Sequence, residues 1–400
     1  MPDFLPFPAV QYASPTPGPA DVSAVCAPPY DVIEPEDRVA LLAEDPNNAV
    51  RLILPDSYDG AAARFAQWQR DGVLVVEDAP SFSIYRMHYT GDDGAPRTTT
   101  GVIGALALDR DGVLPHERTL PKAKSDRLEL LRATRANLDP IWGISLSSEL
   151  SELLAPDGDP RATATDRDGV RHELYPVTDP ARQAAIEAAV AGAGLVLADG
   201  HHRFETACTY RDERGADDTG AGAIMTLVVE LAPEQLCVRA IHRLLHDLGS
   251  VRLRDALAPV FEVRAAGPNE AAGVAALEAA MRTEGALGLV DADGLALLVP
   301  TAELDELVGA LPAPLRGVDS ARFEAGVLPA VPDVSLGYRD DAVTVAAAVE
   351  QGQAQAAVLL RPVDVDTIRA AAAAGVRMPE KTTFFSPKPR TGMVFRSLDR

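Results

Sequence analysis

The 400-residue sequence is poor in cysteine, aromatics and lysine, and it contains no long apolar run. Cys26, Cys208 and Cys237 are odd in number, far apart and outside any Cys-x-x-Cys. That excludes a disulfide framework and a thiolate zinc site, and small buried side chains are the role that suits them. Aromatics make up 5% of the chain, so Ala, Val and Leu must fill the cores, and a hydrophobic content of 47% suffices for that. No apolar stretch approaches the roughly 20 residues that span a bilayer. Met1-Pro2-Asp3-Phe4 lacks the basic and apolar regions of a signal peptide. A soluble cytoplasmic protein is expected.

Positive charge is also scarce: 37 Lys and Arg stand against 59 Asp and Glu, for a net charge of −22. Such a surface repels phosphate backbones and anionic headgroups, so neither nucleic acid nor a membrane is the expected partner. Four catalytic signatures are missing. There is no G-x-x-x-x-G-K-[ST], no complete G-x-G-x-x-G after a strand, no H-E-x-x-H and no G-x-S-x-G. These absences argue against a P-loop kinase, a standard dinucleotide site, a zinc protease and an α/β-hydrolase.

What is present reads as an α/β protein with mixed α+β sheets and more than one domain. Apolar alternation and turn residues predict strands over 81–90, 98–108, 141–146, 224–231, 294–299 and 356–360. Helices are predicted over 35–44, 61–71, 180–191 and 204–214, and another begins at Asp126, where Glu129 completes a D-x-x-E capping box. The expected division is 1–245 as an N-terminal domain carrying the site, 246–376 as a second α/β domain, and 377–400 as a basic segment folding back on the site.

The strongest chemistry lies at Asp199-Gly200-His201-His202-Arg203, directly after the apolar Leu195-Val196-Leu197. A strand running into a helix leaves the first helical N–H groups without internal partners, at the positive end of the dipole. Gly200 allows a ligand close to the backbone. Arg203 offers a planar fork to phosphate or carboxylate, and Asp199 can cap the helix or bind a metal ion. A second concentration surrounds His116-Glu117-Arg118-Thr119, with Lys122, Lys124 and Arg127 close behind. Residues 110–135 hold seven Lys or Arg against four Asp or Glu. His116 or Glu117 suits proton transfer, and the cations suit a phosphorylated ligand. All four lysines of the chain fall in two pairs: Lys122 and Lys124 in this basic island, Lys381 and Lys388 near the end, the latter followed by Arg390. Where arginine serves for ordinary charge, a retained lysine marks a need for a compact ammonium. His242-Arg243 and Tyr30-Asp31 are weaker candidates, while His88, His172 and His246 stand alone and read as structural.

Over nearly its full length the sequence resembles the bacterial and archaeal family known as domain of unknown function 1015. The stretches that carry the resemblance are Ala27-Pro28-Pro29-Tyr30-Asp31-Val32, His116 to Thr119 with Lys124 and Asp126-Arg127, Ala198 to Arg203, and Pro379 to Phe385. Locally, the Asp-Gly-His-His-Arg run is similar to the phosphate-binding motif of the ParB/sulfiredoxin superfamily, which includes free-serine kinases. This second likeness implies a nucleotide-binding element in which Gly200, His201, His202 and Arg203 grip phosphates, Asp199 lies near Mg2+, and an upstream glutamate, compared here with Glu117, acts as base. The expected function is a phosphotransferase or phosphohydrolase acting on a small phosphorylated metabolite, with a nucleotide (ATP or ADP) and Mg2+ as cofactors. Lys122, Lys124, Arg127, Lys388 and Arg390 would join the phosphate-binding set. The alternatives are a nucleotide-binding regulatory module without rapid turnover, and a metal-dependent hydrolase using His116, Asp199, His201 or His202.

Overall fold

A computed structural model describes residues 3–14, 18–91, 94–109, 112–115, 124–215 and 217–399. The chain forms two compact units. The first runs to Cys237 and takes up the chain again from Pro387, and the second comprises Val238–Ser386. The division therefore falls before the His242–His246 strand, because that strand pairs with Ser335–Arg339 and Ala356–Leu359 inside the second unit.

The first unit is built on a mixed sheet whose spatial order is Ala20–Asp21, Ala162–Thr165, Arg171–Val177, Phe82–Thr90, Pro96–Ala107, Ala223–Glu230, Ile141–Ser145, Leu195–Asp199 and Val113–Pro115. Phe4–Leu5 also pairs with Pro96–Ala107. Ala223–Glu230 runs parallel to Ile141–Ser145, and Leu195–Asp199 runs antiparallel to it. The fold is mixed α/β, as composition and periodicity imply. The Pro180–Ala191 helix starts where Asp179 accepts hydrogen bonds from Ala181 N and Arg182 N, with proline in the first turn. It buries Ile186 and Val190 against the sheet.

Gly104 admits a close ring pair on this sheet. Phe4 and Phe82 stack with centroids 5.1 Å apart, and a Cβ at Gly104 would lie 2.5 Å from Phe4 Cζ and 2.7 Å from Phe82 Cε1. Gly104→Val is expected to destabilise the first unit by about 1–3 kcal/mol through overpacking. Urea unfolding followed by tryptophan fluorescence checks this, since both tryptophans, Trp68 and Trp142, lie in this unit.

One expectation at the basic island is corrected. The helix there spans Lys124–Thr134, so Asp126 lies in its first turn and is not its cap. Its carboxylate accepts instead from Tyr58 Oη and from the Arg127 guanidinium, since a residue already inside the helix lies past the position from which a side chain caps the first amides.

In the second unit six antiparallel strands carry helices on both faces. Adjacent residues alternate between two clusters: Leu244, Val290 and Leu297 pack with Val274, Leu277 and Met281, while Leu245, Leu289 and Leu298 pack with Leu257, Leu304 and Phe323. This period-two partition is what a sheet buried on both sides requires. No helix among the described residues is long and apolar enough to cross a membrane.

Candidate functional site

The site begins where the buried strand ends. The pairing of Leu195–Asp199 with Ile141–Ser145 shifts register between Leu197 and Asp199, an irregularity of the kind that re-aims a side chain. Gly200 follows with φ 88° and ψ 27° and is the residue that opens the His201–Arg214 helix. A Cβ here would approach Ile141 Cγ2 to 2.6 Å, so both the left-handed backbone and the space call for glycine. No side chain caps this helix. Of the two roles the sequence leaves open to Asp199, capping this helix is not the one it takes; its carboxylate has other partners.

Those partners are cations. Arg203, one turn along the helix, donates from Nη2 to Asp199 Oδ2 at 2.7 Å, and Lys388 Nζ donates to Asp199 Oδ1. On its other side Arg203 donates from Nη1 to Asp139 Oδ2 and, at 2.8 Å, to Pro140 O. Lys388 Nζ is also 3.9 Å from Asp31 Oδ2. The result is an alternating chain of charge, Asp139–Arg203–Asp199–Lys388–Asp31, whose members are largely buried except Asp31, at 39% side-chain exposure. Tyr30 lies against it, with the Arg127 guanidinium 4.3 Å and that of Arg203 5.9 Å from its ring centroid.

These surroundings set the protonation states. Burial pushes the Asp199 carboxyl up, but the charges of Lys388 and Arg203 outweigh burial and hold it well below the usual carboxylate range. Burial alone would lower Lys388, and the Asp199 and Asp31 carboxylates raise it instead. Asp139 is raised, chiefly by burial, against the opposing pull of Arg203. Burial takes the Tyr30 hydroxyl up to about 12.

Of the residues selected from sequence, Asp199, Gly200, Arg203 and Lys388 meet in one cluster, with Arg127 adjoining through Tyr30. His201 and His202 form the first turn of the helix and are half-buried. Arg390 does not join the Asp199 cluster: its guanidinium faces Asp166, at 3.8 Å. Glu117, His116 and Lys122 lie outside the described residues, as does the side chain of Lys124. Asp139 was missed by sequence reasoning. Its one signal is position, an acid between Leu138 and Pro140 at the mouth of a wholly buried strand, where a carboxylate survives only with a buried partner. Among the described residues no group of three or more His, Cys, Asp or Glu is arranged to hold a metal ion.

His242 and Arg243 have structural duties in the second unit. His242 Nδ1 accepts from Leu360 N at 3.1 Å, and Arg243 donates to Ile241 O and Glu380 O. Burial, assisted by the Arg243 charge, pushes His242 down to about 4. The ring is thus neutral in the fold, while an unfolded chain takes up its proton near pH 6.5. Its contribution is complete above about pH 6.5 and is lost as pH falls towards 4, a change of roughly 3 kcal/mol. Hydrogen exchange of second-unit peptides between pH 7 and 4.5 should follow this loss. His242→Asn, which keeps an acceptor and does not titrate, should flatten it.

The fold and this cluster define a mixed α/β protein with a charge-paired strand–helix junction. The chain belongs to the family described as "Protein of unknown function (DUF1015)", whose model matches residues 4–320. No curated protein matches the sequence. Among solved structures the chain is similar to a conserved hypothetical protein from Pyrococcus furiosus, with TM-score 0.40 and 15% identity, over 75% of this chain and 96% of that one. It is similar also to a free serine kinase in complex with AMP, with TM-score 0.38 and 14% identity, over 71% of this chain and 86% of that one. A third similar structure is SbnI with a C-terminal truncation from Staphylococcus aureus, with TM-score 0.37 and 12% identity, over 72% and 85%.

Proposed function

We propose that this cluster binds the phosphates of a nucleotide, ATP or ADP, and that the protein transfers or hydrolyses a phosphoryl group on a small metabolite. The observation that carries the reading is the convergence of Lys388 and Arg203 on Asp199 at the uncapped start of a fourteen-residue helix. Backbone N–H groups, the helix dipole, a guanidinium and an ammonium then face one small volume, which is the composition of a phosphate site. In the free protein the Asp199 carboxylate supplies the anion that the Arg203 and Lys388 side chains need. A phosphate oxygen offers them the same hydrogen bonds with more negative charge.

Mg2+ is commonly held by one or two carboxylates, with phosphates completing its shell. Asp199 and Asp31, both within reach of the Lys388 ammonium, are hard oxygen donors that fit such an ion. When bound, it would neutralise phosphate charge. The protein's own part is positioning and electrostatics. Arg203 and Lys388 stabilise the charge spread over the phosphoryl oxygens. Glu117 or His116 takes the proton from the attacking hydroxyl or water, a P–O bond forms to that oxygen, and the bond to the leaving phosphate breaks.

Calorimetric titration of the full chain with ATP, ADP, AMP and inorganic phosphate, each with and without Mg2+, tests the reading. Expected is saturable binding of a nucleotide that strengthens with Mg2+. Absence of binding by all four at millimolar concentration would end it. Phosphorus NMR with candidate hydroxyl acceptors then separates transfer from hydrolysis.

A further inference from the structure

Lys388 is flanked by Pro387 and Pro389. Neither proline has an N–H, and both restrain the residue before them. The first main-chain donor beyond Lys388 is therefore Arg390 N, and it donates to the Tyr85 hydroxyl at 3.0 Å. Tyr85 is fully buried within the sheet of the first unit and does not stop at this one contact. Its hydroxyl is 2.8 Å from His172 Nδ1, and His172 Nε2 is 3.2 Å from Asp166 Oδ2.

One proton arrangement satisfies all of these groups. His172 is neutral, in keeping with a burial that lowers its pKa; Nε2–H donates to Asp166, and Nδ1 accepts from Tyr85 O–H. The Tyr85 oxygen then has a lone pair for Arg390 N–H. The Arg390 guanidinium, 3.8 Å from Asp166 Oδ2, closes the circuit. One residue further, Thr391 and Ala27 exchange both backbone hydrogen bonds, at 3.0 and 2.9 Å. That pairing brings the segment leading to Tyr30 and Asp31 alongside the segment that carries Lys388.

Buried polar groups are costly unless each is partnered, and apolar side chains would fill a sheet core at lower cost. What this circuit provides, and an apolar core would not, is a fixed address for residues 388–391. We propose that Tyr85, His172 and Asp166 form a buried positioning relay that fixes Arg390 and, through rigid Pro389, sets the Lys388 ammonium on Asp199. Arg390, selected from sequence as a phosphate ligand, is here the anchor of Lys388.

The test needs no ligand, so its failure is distinguishable from failure of the phosphate reading. The chain has four lysines, so lysine-selective 13C and 15N labelling gives a spectrum in which Lys388→Met identifies the Lys388 signal. In the wild type that signal is expected to be shifted from the free-lysine position, with slowly exchanging Nζ protons. Tyr85→Phe keeps the ring and removes the hydroxyl. Lys388 is then expected to move towards the free-lysine position, while the fold persists by near-ultraviolet circular dichroism. Should Tyr85→Phe fail to fold, Arg390→Gln decides, because it cuts the ion pair to Asp166 and keeps the main-chain N–H. A Lys388 signal at its wild-type position in whichever of these variants fold overturns the proposal.

Discussion

Arg203→Ala is expected to cost the first unit about 3–5 kcal/mol of unfolding free energy. The reason lies less in the lost bonds than in what stays behind. Asp139 is largely buried, at 12% side-chain exposure, and its hydrogen bond and ion pair are with Arg203, so truncation strands a carboxylate where little water reaches it. Asp199 retains Lys388 and suffers less. The double variant Asp139→Leu with Arg203→Met removes both partners and leaves no orphaned charge, so it should recover most of the stability. It should not recover nucleotide or phosphate binding. Urea unfolding by tryptophan fluorescence, run beside calorimetric titration with AMP, reads the two effects separately. A double variant no more stable than Arg203→Ala would show that the arginine acts through packing and not through its charge.

Lys388→Met is expected to weaken AMP or phosphate binding by at least about tenfold, corresponding to about 1.4 kcal/mol for a lost charge-assisted hydrogen bond. It should also change acid stability. A carboxyl whose folded pKa is depressed contributes stability that is present above the unfolded value, near pH 4, and is lost as pH falls through the folded one. Asp199 is such a group, held low by Lys388 and Arg203 against the effect of burial. Removing the ammonium raises its folded pKa, so the acid-unfolding midpoint of the first unit should move to higher pH, by on the order of one unit. Lys388→Arg restores the charge, but its broad fork does not suit a point contact between two carboxylates; recovery of the acid midpoint should exceed recovery of binding. An unchanged midpoint in Lys388→Met would mean that the contact with Asp199 contributes nothing to the folded state.

Much of the local structure around the site is legible in the sequence. Leu195-Val196-Leu197 reads as a buried strand, and Gly200 as the joint that opens a helix. Pro35 and Pro180 mark helix starts that coincide with Pro35–Glu44 and Pro180–Ala191. The Asp126 capping box misleads, because a D-x-x-E spacing cannot reveal that Tyr58 and Arg127 will claim the carboxylate. His172 reads as structural and is indeed buried, but its link to Tyr85, Asp166 and the end of the chain leaves no trace at any fixed spacing.

Sequence alone determined the elements and the residue types at the strand–helix junction, since periodicity, proline placement and the demand for glycine act over a few neighbouring positions. Only the tertiary structure decided the pairing. Arg203 meets Asp139 across 64 positions, and Lys388 meets Asp199 across 189. Charge pairing in a buried setting depends on which distant segments sheet packing brings within about 4 Å. That distance is set by the strand order of the first unit and by the return of the chain from Pro387 onward.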